Sequence, residues 1–255
     1  MEDKFRLDGS VALVMGGAGG IGRALALGLS RYGAAVVVSS RSRDAIDEAA
    51  AQIRAETAGP VMAIAADVME EQSVARLVNE LVSRFGRIDI LVNAMGINLK
   101  RDALEYPMED WDSMFDVNVR GTMIACKQVA RVFKANRQGK IINLSSVRGI
   151  RGYTGGNAGY CATKGAVELI TKSLALEWAP YNIHVNALGP SLIITPGTVH
   201  IKNDPSLAEK YRAPVPLGRL GEPHDLIGAC IFLASRASDF VTGQTIYVDG
   251  GLTAG

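Results

Sequence analysis

The chain has 255 residues, enough for one large α/β domain, and 48% hydrophobic against 21% charged residues is the balance of a chain with a sizeable core, which excludes disorder. Lys and Arg total 27 against 26 Asp and Glu, a formal net charge of +1, so the basic face needed for nucleic acid or an anionic membrane is missing. The partners such a composition leaves are small molecules and further copies of the chain itself.

No apolar run approaches a membrane span, and Met1-Glu2-Asp3-Lys4-Phe5 lacks the basic and apolar regions of a signal peptide, so a cytoplasmic protein is expected. Cys126, Cys161 and Cys230 are odd in number and far apart, which predicts reduced thiols. His184, His200 and His224 lack metal-ligand spacing, and no metal site is expected.

In chain order, Val11-Ala12-Leu13-Val14 reads as a strand that enters Met15-Gly16-Gly17-Ala18-Gly19-Gly20-Ile21-Gly22. Ile21, Leu25 and Leu29 then recur at helical spacing. Glycines let a backbone turn tightly and approach a pyrophosphate, and the helix start offers free N–H groups and the positive end of a dipole. A glycine turn can be purely structural; here it lies between a strand and a helix and leads to a second strand, Ala35 to Ser39, the setting of a dinucleotide-binding turn.

The end of that second strand reads Ser39-Ser40-Arg41-Ser42-Arg43. An acidic residue there would bind ribose hydroxyls and a basic one would accommodate a 2′-phosphate, so NADP(H) is the expected cofactor, with NAD(H) possible. The pattern repeats: a strand from Val61 to Ala66 ending at Asp67-Val68, an amphipathic helix from Glu70 to Phe85, and a buried strand from Ile88 to Val92. A long helix from Trp111 to Val132 follows, then a strand from Ile141 to Leu144 that ends in Ser145-Ser146. After the helix of Tyr160 come a strand His184 to Leu188, a loop to about Pro216, a helix near His224 to Leu233, and a last strand Gln244 to Val248. This alternation predicts one α/β domain over 1–255, doubly wound, with a seven-stranded, mainly parallel sheet and helices on both faces.

Tyr160-Cys161-Ala162-Thr163-Lys164 places a phenol and an ammonium one turn apart at the start of a helix, on one face. A lone Tyr-x-x-x-Lys is common on ordinary helices. A cation beside a phenol nevertheless favours the phenolate, lowers a pKa of about 10, and makes Tyr160 a candidate general acid/base.

Taken together these residues resemble the short-chain dehydrogenase/reductase family in its compact Rossmann-type form, along nearly the whole chain. Met15 to Gly22 are similar to its Thr-Gly-x-x-x-Gly-x-Gly pattern, with Met15 for Thr; Asn93-Ala94-Met95-Gly96 keep the first Asn and the Gly of Asn-Asn-Ala-Gly. Asn118, Ser146, Tyr160 and Lys164 match the family's helix asparagine, strand-end serine and Tyr-x-x-x-Lys. Pro190-Ser191 with Thr195 stand for its Pro-Gly and Thr, with Ser191 for Gly, and Gly243 to Gly251 resemble its closing segment.

The resemblance implies a hydride exchanged between cofactor and a secondary alcohol or ketone. Tyr160 would be the acid/base, Ser146 the second donor to the substrate oxygen, Lys164 the group that lowers the pKa of Tyr160 and binds ribose, and Asn118 the holder of a water leading from Lys164. Ser145 competes for the serine role, but strand alternation puts the two on opposite faces and the motif selects Ser146. Cofactor contacts would come from Gly16, Gly20, Ile21, Gly22, Ser40, Arg41, Asp67, Val68, Asn93, Ala94, Gly96, Tyr160, Lys164, Pro190, Ile193 and Thr195.

For substrate, Arg101, Arg148, Arg151 and Tyr153, with Asn98 and Lys100 nearby, could grip a carboxylate, and Gly96 to Trp111 is similar to the gluconate 5-dehydrogenase branch of sugar-acid dehydrogenases. Solvated arginines are the ordinary alternative. The rival activities are a 3-oxoacyl carrier-protein reductase, a broad carbonyl reductase, and a silent nucleotide-binding sensor or scaffold. The family also implies a homo-oligomer, a tetramer or dimer, joined through the strand-five and Tyr160-bearing helices and the C-terminal region, where Phe240-Val241 and Ile246-Tyr247-Val248 fit an interface and the core equally, and a lid over 191–216.

Overall fold

The computed structural model describes residues 3–255; Met1 and Glu2, on which part of the signal-peptide expectation rests, lie outside them. Among the described residues there are seven strands: β1 (Val11–Met15), β2 (Ala35–Ser39), β3 (Val61–Ala63), β4 (Ile90–Asn93), β5 (Gly139–Leu144), β6 (Ile183–Pro190) and β7 (Thr245–Val248). The principal helices are α1 (Gly20–Arg31), α2 (Arg43–Glu56), α3 (Glu71–Phe85), α4 (Met108–Phe115), α5 (Gly121–Asn136), α6 (Ala158–Trp178), α7 (Val199–Asn203), α8 (Pro205–Arg212) and α9 (Ile227–Ala234). The sheet order is β3-β2-β1-β4-β5-β6-β7 and every pairing is parallel, as the alternation predicts.

The central strands are nearly continuous apolar runs because both faces are covered. Along β1, Ala12 and Val14 face a core shared with Leu25 and Leu29 of α1, Ile46 and Ile53 of α2, and Ile231 of α9. Val11, Leu13 and Met15 face the other way, towards Leu77 and Leu81 of α3, Val129 and Phe133 of α5, and Leu174 of α6. A strand's period of two thus feeds two separate cores, and each fully buried Leu or Ile contributes about 1.5–3 kcal/mol.

Three boundaries differ from expectation. The strand predicted over 61–66 is regular only to Ala63, although the Ile64 and Ala66 N–H groups still donate to the Val38 and Ser40 carbonyls. The helix predicted over 111–132 is broken: α4 runs into a π-helical turn, Asp116–Arg120, before α5 begins. The expected loop from Gly189 to Pro216 contains α7 and α8. Among the described residues no helix is long and apolar enough to cross a membrane.

Candidate active site

The strand order reverses between β1 and β4, and in an open parallel sheet the crevice beyond the carboxyl ends at such a reversal is where ligands bind. Met15 pairs with Asn93 at that edge, so the glycine turn after β1 and the Ala94-Met95-Gly96 turn after β4 meet there. They meet closely. Gly16 has φ +76°, and a Cβ on it would lie 2.7 Å from the Met95 nitrogen; one on Gly22 would lie 2.2 Å from the Gly16 oxygen. No side chain fits either position.

The N-cap of α1 is Gly19, which offers no side-chain oxygen to the first helical N–H groups. A cavity of about 590 Å³ is lined by Gly20, Ile21 and Gly22 on one side and by Ser146, Tyr160 and Lys164 on the other, with Pro190, Ile193 and Thr195 beneath. A second cavity of about 260 Å³ holds Gly16, Ser39, Ser40, Arg41, Asp67 and Val68. Ala94 and Gly96 line both, so the two form neighbouring parts of one crevice. The Ser39 hydroxyl in the second part is buried without a partner. A side-chain-free turn, an uncapped helix start and an orphan hydroxyl fit an extended dinucleotide with its pyrophosphate on α1. Arg43 is occupied by Asp47 at 2.7 Å, whereas Arg41 is exposed and makes no ion pair among the described residues. Of the two expected basic residues, only Arg41 remains for a phosphate. Asn93 lies one layer deeper: its amide donates to the Asn143 Oδ1 at 2.8 Å and the Cys126 Sγ at 3.2 Å, tying β4 to β5.

Tyr160 is in the first turn of α6, and Lys164 follows on the same face with its Nζ 5.6 Å from the phenol ring centroid. The Lys164 Nζ donates to the Leu144 carbonyl at 2.6 Å, which pins α6 to the end of β5. Ser146 opens the short turn after β5; its hydroxyl donates to the Pro190 carbonyl at 3.3 Å and accepts from the Arg148 N–H at 3.2 Å. Ser145 points into the protein and donates to the Glu168 carboxylate at 2.9 Å, so alternation separates the two serines as expected. Glu168 also accepts from the Tyr247 hydroxyl at 2.9 Å, a buried junction of β5, α6 and β7.

The electrostatics correct one expectation. Burial pushes the Tyr160 phenol up to about 12, outweighing the adjacent Ser146 hydroxyl and the nearby Arg148 cation, which both act downward. Burial likewise draws Lys164 from 10.5 down to about 8. Desolvation sets the direction for both groups and leaves the Tyr160 phenol neutral beside an ammonium that is lost as pH rises through about 8.

Asn118 sits in the π-helical turn, the kind of irregularity that re-aims a side chain at functional sites. Its Oδ1 accepts from the Ile97 N–H at 2.8 Å, while its amide donates to the Ile97 carbonyl at 2.9 Å and to the Thr163 Oγ1 at 3.1 Å. This side chain therefore clamps the Gly96-Ile97 turn to α6 and makes no direct hydrogen bond to Lys164. A Cβ on Gly96 would come within 3.2 Å of the Asn118 Oδ1 and 3.4 Å of the Lys164 Nζ, which explains the glycine.

The candidate substrate residues divide. Arg148 and Tyr153 line the larger cavity together with Asn98 and Lys100. Arg101 is turned away into an ion pair with Asp110 at 2.8 Å, and Arg151 donates to the Leu252 carbonyl; neither lines that cavity. The sequence signals missed Tyr211 and His200, which also line it, because they belong to α7 and α8, where no motif stands out. Cys126 and Cys230 are buried and Cys161 half-buried, all three unpaired. No group of three or more His, Cys, Asp or Glu among the described residues could hold a metal.

Residues 16–253 match a family model described as enoyl-(acyl carrier protein) reductase. The chain is 38% identical over 251 residues to the gluconate 5-dehydrogenase of Gluconobacter oxydans, covering 98% of this chain and 97% of that one. It is 39% identical over 250 residues to the 3-oxoacyl-(acyl-carrier-protein) reductase of Thermotoga maritima, covering 97% and 99%. A gluconate 5-dehydrogenase from Burkholderia cenocepacia J2315, solved in complex with NADP and tartrate, superposes with a TM-score of 0.94 at 40% identity, covering 99% of this chain and 98% of that one. With the switch-point crevice, the glycine turn and the Ser146, Tyr160 and Lys164 grouping, these matches show that the chain belongs to the short-chain dehydrogenase/reductase family of oxidoreductases.

Proposed function

We propose that this protein uses NADP(H) to interconvert a secondary alcohol and a ketone, with a sugar acid of gluconate type and its keto acid as the substrate pair. The observation that carries the reaction is the single cavity shared by the α1 start and by Ser146, Tyr160 and Lys164. The relatives with gluconate 5-dehydrogenase activity support the substrate class, and the Burkholderia cenocepacia structure with NADP supports the cofactor.

The N–H groups at the start of α1 would hold the pyrophosphate, Ser40 and Arg41 the adenosine 2′-phosphate, and Lys164 the nicotinamide ribose. When bound, the cofactor supplies or accepts the hydride. In the reducing direction the neutral Tyr160 hydroxyl donates its proton to the carbonyl oxygen as charge develops there, and the Ser146 hydroxyl donates a hydrogen bond to the same atom. The Lys164 ammonium stabilises the tyrosinate left behind, and Asn118 keeps the Gly96 turn and α6 in register. Oxidation reverses each proton movement.

A panel of sugar acids run with NADP+ and NAD+, and of keto acids and acetoacetyl thioesters run with NADPH and NADH, from pH 6 to 10, tests this reading. The expected result is oxidation of the sugar acids and reduction of the keto acids with the phosphorylated cofactor preferred, and a reductive kcat/KM that is level below pH 8 and falls above it. The sign follows from Lys164: its lowered pKa of about 8 leaves it charged below that pH and neutral above it. Turnover of thioesters alone would assign the rival carrier-protein reductase activity.

The chain would act as one catalytic domain in the cytoplasm, where free thiols are stable. Residues 191–216, with α7 and α8, would be the lid. Leu169 and Leu176 are exposed one heptad apart on α6, Phe240 is wholly exposed, and β7 is a half-buried edge strand. Apolar surface of this kind supports a homotetramer, with α6, Phe240 and β7 at the contacts. Light scattering is expected to give the mass of four chains, and a monomer mass would overturn that state.

A further inference from the structure

Arg148 differs from every other arginine near the crevice. Its guanidinium lies 3.5 Å from the Tyr153 ring centroid, and Tyr153 in turn stacks on Tyr211 of α8 with centroids 6.4 Å apart and planes 29° from parallel. No carboxylate or carbonyl among the described residues accepts a hydrogen bond from this guanidinium, whereas Arg101 has Asp110 and Arg151 has the Leu252 carbonyl. It is half-buried, and burial lowers its pKa, as happens to a cation brought out of water without a counter-charge. Its backbone N–H is bonded to the Ser146 hydroxyl, so the cation is tethered two residues from the group that would hold the reacting oxygen. Lys100 adds a second positive charge on the other side of the stack, donating to the Tyr211 hydroxyl at 3.4 Å.

A guanidinium lying on an aromatic face keeps its N–H edge free and ordered, the presentation that suits a planar carboxylate in a two-pronged hydrogen bond. We infer that Arg148, held on the Tyr153–Tyr211 stack, receives the substrate's carboxylate and sets the preference for hydroxy acids over neutral alcohols. The inference rests on the substrate class proposed above and names the residue responsible for it. Tyr211 belongs to the 191–216 segment, so α8 already contributes to the same site as Arg148.

The test compares, in the oxidising direction, wild type with Arg148→Met and the charge-keeping Arg148→Lys. Substrates are a set of C4–C6 aldonic acids, the corresponding neutral amides, and sugar-alcohol phosphates lacking a carboxylate; tartrate serves as inhibitor. In Arg148→Met the acid-to-amide ratio of kcat/KM is expected to fall about 100-fold, mainly through KM, the size of a lost charge-assisted contact. The inhibition constant of tartrate should rise in parallel, and Arg148→Lys should recover part of both. Equal losses on acid and amide in both variants would overturn the role of Arg148 while leaving the substrate class standing. A wild-type preference for the phosphates would overturn the carboxylate, and no turnover of any acid by wild type would overturn both.

Discussion

Replacing Tyr160 by Phe is expected to lower kcat for ketone reduction by about 1000-fold or more, while the dissociation constant for NADPH stays within about threefold of wild type. The substitution removes one hydroxyl and keeps the ring, so the 590 Å³ cavity and the contacts of α6 persist. Only the proton donor is lost. Because the phenol stands near 12, it is protonated across the whole working range, so the loss in the reducing direction should be full at pH 6 and shrink above pH 8, where wild type itself loses the Lys164 ammonium. Stopped-flow measurement of NADPH oxidation, with fluorescence titration for cofactor affinity, checks both halves. Retention of a tenth of wild-type activity would remove Tyr160 from the chemistry.

Replacing Arg41 by Ala is expected to reduce kcat/KM for NADPH about tenfold or more at low salt and to leave NADH within about threefold. Arg41 is exposed, so its charge is screened and the effect should shrink as salt rises. The neighbouring Arg43→Ala provides the contrast. Its guanidinium is already engaged by Asp47, so its removal should shift the NADPH-to-NADH ratio much less. Equal responses to the two substitutions would mean that general positive potential, and not a placed contact, selects the cofactor. A ratio unmoved by either would shift the selection to the unpartnered Ser39 hydroxyl and its surroundings.

Tyr160 and Arg41 differ in how far local pattern revealed them. Tyr160 and Lys164 were legible because i, i+4 spacing on a helix is a property of five consecutive residues, and the glycine turn because a strand, a turn and a helix follow one another within about 20 residues. Arg41 and Arg43 were equally visible as residues, but whether Arg43 closes the i, i+4 contact with Asp47 that its spacing allows is set by side-chain placement, which separates the free cation from the engaged one. The same limit applies to the substrate arginines: Arg101, Arg148 and Arg151 look alike in the chain, and their partners are Asp110, an aromatic stack and Leu252.

The sequence by itself determined the alternation of seven strands with helices, the parallel sheet, the family, and the places of Ser146, Tyr160 and Lys164. Each of these follows from backbone periodicity or from short motifs in a required order. Tertiary structure decided which way the site's ionisable groups shift, because desolvation depends on everything packed around Tyr160 and Lys164 and not on their spacing. It also decided that Asn118 clamps Ile97 from a π-helical turn, that α7 and α8 occupy the expected loop, and that Tyr211 meets Tyr153. Those contacts join segments distant in the chain, and their pairing is chosen by packing, which no local pattern encodes.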